Sequence, residues 1–176
     1  MEASDGKADL LEWVTSHYAA LYRYGYRLSG SAADAEDLVQ ETFCKVQEHQ
    51  GQLRDPKRIR NWLFRILRNA YLHRYRAEQL HPAISLDQVE DLAISGESDL
   101  AEQRAELQHA LNDLAEEWRT PLILYYFEDF SYRDIAEQMD LPIGTVMSRL
   151  ARAKAYLRQR LTGSHSPASE SLPASE

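Results

Sequence analysis

Basic side chains are concentrated in two separate segments of this 176-residue chain. Positions 54–76 carry eight Lys or Arg and one acid, and positions 143–161 carry five Lys or Arg and no acid. The intervening positions 78–117 carry eleven acids and one base, Arg104. Each Lys or Arg that neutralises a phosphate releases counterions, so two such segments indicate two nucleic-acid contacts. A solvated basic face is the ordinary alternative, but the acids that usually interleave such a face are missing here.

A group of carboxylates is the other candidate for chemistry. Asp34, Glu36, Asp37 and Glu41 fall on one predicted helix, where a solvated acidic face is the ordinary interpretation. Neither the single cysteine, Cys44, nor the six scattered histidines provide ligand or acid–base partners at the required spacing. We therefore expect no catalytic residues, no metal site and no cofactor.

Composition restricts the class of protein further. The net charge of −8 argues against nonspecific coating of nucleic acid, and 44% hydrophobic residues with few Gly and Pro indicate a folded chain. The acidic first residues precede no apolar signal region, and no stretch approaches the roughly 18 apolar residues of a membrane span. A lone cysteine favours a reducing compartment. These observations predict a cytoplasmic protein that is not inserted in a membrane.

The elements that position these residues are predicted to be helices, so the fold class is all-α. Apolar residues recur every three or four positions in each half of the chain, and strand-like alternation is absent from the sequence. We predict a helix restarting after Pro121, because proline is tolerated in a first helical turn. The predicted organisation is a helical domain over 1–78, an acidic flexible linker over 79–99, a second helical domain over 100–161 and a disordered tail over 162–176. A polar linker of this length predicts that the two domains move independently.

The last two helices have helix-turn-helix spacing. Ser131 and Asp134 form a predicted capping box for the first of them, and Pro142 and Gly144 open the second. On the second helix an apolar stripe must face the core, formed by Val146, Leu150, Ala153 and Leu157. Ser148, Ala151, Arg152 and Ala155 then point away, flanked by Met147, Lys154 and Arg158. Arg149 lies beside the buried edge, where it could hold a helix end or a phosphate as readily as read a base.

The third helix mixes aromatic and basic residues between Asn61 and Arg76. Aromatic rings and guanidinium groups can stack on unpaired bases, which suits single-stranded DNA. Its apolar stripe is predicted to be core, comprising Trp62, Leu63, Ile66, Leu67 and Ala70. Asn69 and His73 are four residues apart and share a polar face that could touch a base or a phosphate.

Together these motifs resemble the extracytoplasmic-function sigma factors of bacterial RNA polymerase. Residues 21–28 and 34–43 are similar to the family's regions 2.1 and 2.2, and residues 61–76 to regions 2.3 and 2.4. Residues 125–136 and 142–150 are similar to region 4. The ordered set extends over about residues 10–161 and is far more specific than any one motif.

The resemblance implies a promoter-specificity subunit whose partners are core RNA polymerase, at its clamp and flap, and promoter DNA. It implies polymerase binding by Asp37, Gln40 and Glu41. For the minus-ten element it implies a base-capturing pocket of Leu53, Arg54, Asp55 and Asn69, with the strand held by Arg65, Arg68, His73 and Arg74. For the minus-thirty-five element the implied face is Thr145, Met147, Ser148, Ala151 and Arg152, to which the helical projection adds Arg149 and Lys154. An anti-sigma factor is a further candidate partner, whose existence the sequence leaves open.

Three residues depart from the family pattern. Met147 stands where the family usually has Lys or Arg, and Asp129 and Asp140 replace common turn glycines. None of these three departures changes the predicted fold.

Two other functions stay open at this point: a helix-turn-helix regulator that acts without polymerase, and a hydrolase that uses the carboxylates.

Overall fold

The computed structural model describes residues 2–49, 53, 55–80 and 98–163. These residues form seven α-helices and a short 3₁₀ turn at Pro56–Arg58, and no strand occurs among them, which confirms the all-α prediction. The helices are α1 (Glu2–Ser29), α2 (Ala32–His49), α3 (Ile59–Leu80), α4 (Ser98–Asn112), α5 (Glu116–Tyr126), α6 (Tyr132–Met139) and α7 (Ile143–Gly163). We call α1–α3 the N-terminal bundle and α4–α7 the C-terminal bundle.

The first two helices form a tight hairpin. Gly30 adopts a φ of +75°, which favours glycine, and ends α1. Ser31 then caps α2, because its hydroxyl accepts a hydrogen bond from the Asp34 amide at 3.2 Å, as predicted. Gly25 allows close approach of the two helices, since a Cβ there would lie 3.4 Å from the Cα of Ala35. The hairpin thereby fixes which face of α2 points outward.

The third helix begins from a capped 3₁₀ turn. The Asp55 carboxylate accepts a hydrogen bond from the Lys57 amide at 3.0 Å, and Pro56 occupies the first position of the turn. Helix α3 then buries one side against α1 and α2, and its fully buried residues include Leu63, Phe64 and Leu67. Of the arginines of α3, Arg65 and Arg76 are exposed, whereas Arg60, Arg68 and Arg74 are half-buried.

The C-terminal bundle contains the predicted helix-turn-helix in α6 and α7. The Ser131 hydroxyl accepts from the Asp134 amide at 3.1 Å, so Ser131 caps α6 as predicted, while the Asp134 carboxylate accepts from the Ser131 hydroxyl rather than from its backbone amide. Asp140 ends α6 with a φ of 54°, and Asp129 has a φ of 53°. Both positions are left-handed, which explains why glycine suits them and why aspartate is tolerated only at a cost.

The prediction of a helix restart at Pro121 is wrong. Helix α5 begins at Glu116, and Pro121 lies inside it. The break falls instead at Asp113–Ala115, where the Ala115 carbonyl accepts from the amides of Trp118 and Arg119 and starts the new helix. Proline is accommodated there because the carbonyl that it leaves without an intrahelical donor finds another one, described below.

The two bundles pack directly against each other. Helix α1 contacts α4 and α5, α3 contacts α6, and one hydrophobic cluster extends through both bundles. This packing contradicts the prediction that the two domains move independently, because apolar side chains of both bundles share one core. The predicted linker lies largely outside the described residues, since α3 continues to Leu80 and α4 begins at Ser98. The predicted tail also lies outside them beyond Gly163, where α7 ends.

Candidate nucleic-acid interface

Helix α7 presents the reading face that its sequence predicts. Val146, Leu150 and Ala153 are buried, and Leu157 is half-buried, so the apolar stripe faces the core. The exposed residues of the opposite face are Met147, Ser148, Ala151, Arg152 and Lys154, with Thr145 half-buried at its start. Small residues at the centre of this face would let the helix backbone enter a major groove.

Arg149 is engaged within the protein. Its Nη2 lies 3.3 Å from the Glu117 carboxylate, and its Nη1 donates to the Glu117 carbonyl at 3.4 Å. In a regular helix that carbonyl would accept from the amide of residue 121, which proline lacks. Arg149 therefore supplies the donor that Pro121 removes, and it joins α7 to α5.

This arrangement predicts that Arg149→Ala lowers the free energy of unfolding by about 1–2 kcal/mol, because a charged donor to a backbone carbonyl is lost. In a Pro121→Ala background the cost should be smaller, since the restored amide at 121 satisfies the Glu117 carbonyl. Urea denaturation followed by circular dichroism measures both values. Arg158→Ala, an exposed arginine of the same helix, is the matched control and should change stability little. Equal costs in the two backgrounds would contradict this role of Arg149.

A second basic face lies on α3. Arg65, Asn69 and His73 are exposed and follow one another at intervals of four residues, so they form a continuous stripe. Asp55 is exposed and Leu53 is half-buried beside the start of this helix, whereas Arg54 lies outside the described residues. The stripe and the preceding turn therefore form one polar surface with arginine and amide groups on it.

The remaining two arginines of the predicted minus-ten set are partly engaged. Arg68 donates through Nη1 to the Gln138 carbonyl at 3.2 Å. Arg74 pairs with two acids of α2, at 3.1 Å from a Glu41 oxygen and 3.6 Å from an Asp37 oxygen. Arg74 thus connects the predicted DNA-binding face to the predicted polymerase-binding face.

The acidic face of α2 is mostly open to solvent. Asp37 and Gln40 are exposed, whereas Glu41 is half-buried and also accepts from the Lys45 ammonium at 2.6 Å. Partial burial opposes ionisation of Glu41, but hydrogen bonds from Lys45 and Arg74 outweigh it, and the pKa of Glu41 lies below its usual value. Glu41 is therefore held in its ionised form, on a polar face suited to a protein partner.

The two bundles match two family models that occur together. Residues 13–80 match Sigma-70 region 2, and residues 104–157 match the region 4 model. The ECF RNA polymerase sigma factor SigE of Mycolicibacterium smegmatis is 34% identical, covering 97% of this chain and 69% of the relative. SigL of Mycobacterium tuberculosis is 35% identical over 82% of this chain and 84% of its own length. The chain belongs to the extracytoplasmic-function sigma factors.

A solved structure supports the same assignment. The sigma factor RpoE of Bartonella quintana, in complex with the anti-sigma factor NepR, superposes with a TM-score of 0.70 and 31% identity, covering 90% of this chain and 97% of that one. The two family-model matches and these relatives confirm the family predicted from the sequence and the promoter-directing function of this sigma factor. Sigma factors are regulatory factors and are not known enzymes.

Sequence reasoning missed the charged side chains that lie between the two bundles of this sigma factor. Glu128 is buried, and its two carboxylate oxygens lie 3.7 Å from guanidinium nitrogens of Arg27 and Arg60. Burial raises the pKa of Glu128, and the two arginines oppose that rise. These partners are 68 or more positions apart, so no local period could have signalled them.

The described residues of this sigma factor were searched for two other features, a metal-binding group and a membrane-spanning helix. Within residues 2–49, 53, 55–80 and 98–163 no group of three or more His, Cys, Asp or Glu could hold a metal ion. None of the helices in those ranges is long and apolar enough to cross a membrane.

Proposed function

We propose that this sigma factor divides promoter recognition between its two bundles. In the proposal the N-terminal domain, with the predicted boundaries 1–78, binds polymerase and opens the minus-ten element. The C-terminal domain, predicted over 100–161, reads the minus-thirty-five element. The observation that carries the proposal is the exposure of two separate polar faces, on α3 and on α7, each basic and each on a family-matched region.

The acidic face of α2 is the proposed contact for core RNA polymerase. Asp37 and Gln40 project into solvent, and Glu41 lies beside them with its charge held by Lys45. The support for a protein partner is that these polar side chains are presented together on one helix, with Asp37 and Gln40 open to solvent. This gives the carboxylates a binding role in place of a catalytic one.

The α3 face is the proposed site for the opened minus-ten strand. Removing a base from the stacked duplex costs a few kcal/mol, and interactions with a pocket of polar groups must offset this cost. Leu53, Arg54, Asp55 and Asn69 are the proposed pocket. The neighbouring strand is assigned to Arg65, Arg68, His73 and Arg74. Asp55 also caps the 3₁₀ turn, so its carboxylate has a structural partner before any base arrives.

The α7 face is the proposed reader of the minus-thirty-five element. The proposed contacts are Thr145, Met147, Ser148, Arg149, Ala151, Arg152 and Lys154. Within this set the structure supports two different tasks, because Arg152 and Lys154 are exposed while Arg149 holds Glu117. We therefore assign Arg149 to orienting α7 and Arg152 to contacting the bases.

A test by run-off transcription separates this function from its rival. Purified core polymerase, supplemented with this chain, should initiate specifically on a promoter from the native genome, and neither component alone should do so. A helix-turn-helix regulator that acts without polymerase would instead bind duplex DNA and leave core polymerase nonspecific. Specific initiation that does not depend on this chain would refute the proposal.

The same proposal places the protein in the cytoplasm with polymerase and allows a protein inhibitor. RpoE of Bartonella quintana is bound by the anti-sigma factor NepR in its solved structure. We extend a partner of that class to this chain, to be tested by affinity purification from the native cell followed by mass spectrometry. Recovery of polymerase alone, under both growing and stressed conditions, would remove the inhibitor from the proposal.

For Arg152→Ala we expect a loss of about 1–3 kcal/mol in discrimination at one or two base pairs of the minus-thirty-five element, because one side chain that reads base edges is removed. Competition binding with duplexes that carry single base-pair changes measures this loss. Arg158→Ala is the matched control, and should weaken binding to all duplexes alike if it contacts a phosphate. Unchanged discrimination by the Arg152 variant would remove it from the reading face.

A further inference from the structure

Helix α7 carries a row of apolar side chains on the outside of the protein. Ile143, Met147, Ala151 and Ala155 follow one another at intervals of four residues, and all four are exposed. The two large members, Ile143 and Met147, are 44% and 51% exposed. Single apolar residues on a surface are ordinary, whereas a contiguous row of them marks an interaction surface. We call these four residues the apolar row.

The surroundings of the apolar row are positively charged. Ser148 and Arg152 border it on one side and Lys154 borders it on the other, and all three are exposed. Positions 143–161 contain five Lys or Arg and no acid. Protein interfaces are depleted of lysine around their apolar centres, whereas DNA presents phosphates on both sides of each groove. The charge around the apolar row therefore favours duplex DNA as its occupant.

Gly144, in the first turn of α7, provides an independent observation. A Cβ at this position would meet no heavy atom within 4 Å, and Gly144 is not among the described glycines with a positive φ. Neither packing nor backbone geometry within the protein calls for glycine here, although glycine weakens a helix. Its small size instead lets an external molecule approach the backbone at the start of α7 closely. The apolar row begins beside this point of approach.

The chemistry of the major groove limits what the apolar row can contact. The C5 methyl of thymine is the apolar group that base pairs present there, beside hydrogen-bond donors and acceptors. Met147 has no donor for a phosphate or a guanine, and the Ser148 hydroxyl already donates to the Thr145 carbonyl at 3.0 Å. The flexible thioether chain of Met147 can adapt to the position of a methyl group. Ile143 lies one helical turn away, about 5.4 Å along the axis, within reach of a neighbouring base pair.

We propose that Ile143 and Met147 recognise thymine methyl groups in the minus-thirty-five element. Met147 then selects a base through an apolar contact, at a position where the family usually has a charged residue. The inference rests on the proposed function, because it names the chemical group that the α7 face reads. Arg152 and Lys154 keep the polar contacts assigned to them above.

Replacement of thymine by deoxyuridine tests this proposal, because it removes the C5 methyl and keeps the base pairing. The probes are duplex fragments of the promoter used for run-off transcription, each with one thymine of the minus-thirty-five region replaced on either strand. Holoenzyme assembled from core polymerase and the full chain is used for competition binding. We expect binding to weaken about fourfold at one or two positions, the factor that burial of one methyl-sized group contributes.

Substitutions in the apolar row connect this effect to particular side chains. Met147→Ala should bind the thymine and deoxyuridine duplexes equally at one of these positions, and Ile143→Ala should do the same at a neighbouring one. Met147→Lys should also lose the preference for thymine, and its affinity should depend more steeply on salt if the ammonium contacts a phosphate. Gln159→Ala, which shortens another long exposed side chain of α7, is the matched control and should keep the full effect. Circular dichroism of each variant checks that the fold is retained.

Three outcomes would overturn the proposal. The first is specific initiation at a promoter in which no deoxyuridine replacement weakens binding. The second is a deoxyuridine effect that persists unchanged in both Met147→Ala and Ile143→Ala. The third is weaker binding of Met147→Ala to core polymerase in the absence of DNA, which would make the apolar row a docking surface for protein. Specific run-off initiation in any of these cases would leave the proposed function standing, whereas its absence would refute that function as well.

Discussion

The double variant Asp37→Ala with Gln40→Ala should bind core RNA polymerase about a thousandfold more weakly than the parent chain. Central interface side chains typically cost about 2 kcal/mol each when truncated, and each 1.4 kcal/mol is tenfold in affinity. Both side chains are exposed on α2, and Asp37 is the more distant of the two acids that pair with Arg74, so their loss should disturb the bundle little. Surface plasmon resonance with immobilised core polymerase measures the change, and run-off transcription should fall with it.

The choice of these two residues follows from the structure. Glu41 would be a poorer probe because its carboxylate is held by Lys45 and Arg74, so its removal would also remove the shorter ion pair between α2 and α3. The matched control is Gln47→Ala with Glu48→Ala, which removes one amide and one acid from exposed positions of the same helix. An equal loss of polymerase affinity in the control would show that the acidic face has been misplaced.

The features that could be predicted from the sequence are those that local periodicity and helix capping determine. A period of 3.6 residues was enough to place Val146 and Ala153 in the core and Arg152 outside it. Capping chemistry was enough to locate the starts of α2 and α6, since Ser31 and Ser131 act on the amide three residues later. The exposed reading face of α7 follows from these two signals alone.

Contacts between distant segments were beyond sequence reasoning. The periodicity of α3 does not place Phe64 in its apolar stripe, and yet the ring is fully buried, because Tyr24 of α1 and Phe130 of the other bundle pack against it. Arg60 was counted as one more basic residue, although its charge faces a buried carboxylate. Pro121 was misjudged because its compensation comes from Arg149, 28 positions later. Each case depends on a contact with a residue that lies far away in the sequence, outside any short segment that a periodicity argument considers.

Phe64→Ala should lower the free energy of unfolding by about 3–5 kcal/mol, which is the usual cost of removing a buried aromatic ring. The ring is fully buried and lies 4.9 Å from Tyr24 and 5.1 Å from Phe130, measured between ring centres. Since small proteins are stable by only about 5–15 kcal/mol, much of the total stability is at stake. Urea denaturation of the full chain by circular dichroism gives the value. Phe43→Ala, a half-buried ring of α2, should cost less.

A double-mutant cycle with Phe130→Ala shows whether the ring joins the two bundles in solution. Aromatic pairs contribute about 0.5–1.5 kcal/mol beyond the area that they bury, and residues in contact are not additive. If the two bundles pack together in solution as they do here, the combined loss should fall short of the sum of the two single losses by about that amount. Strict additivity would mean that the bundles separate in solution. Phe64 would then be ordinary core of the N-terminal bundle.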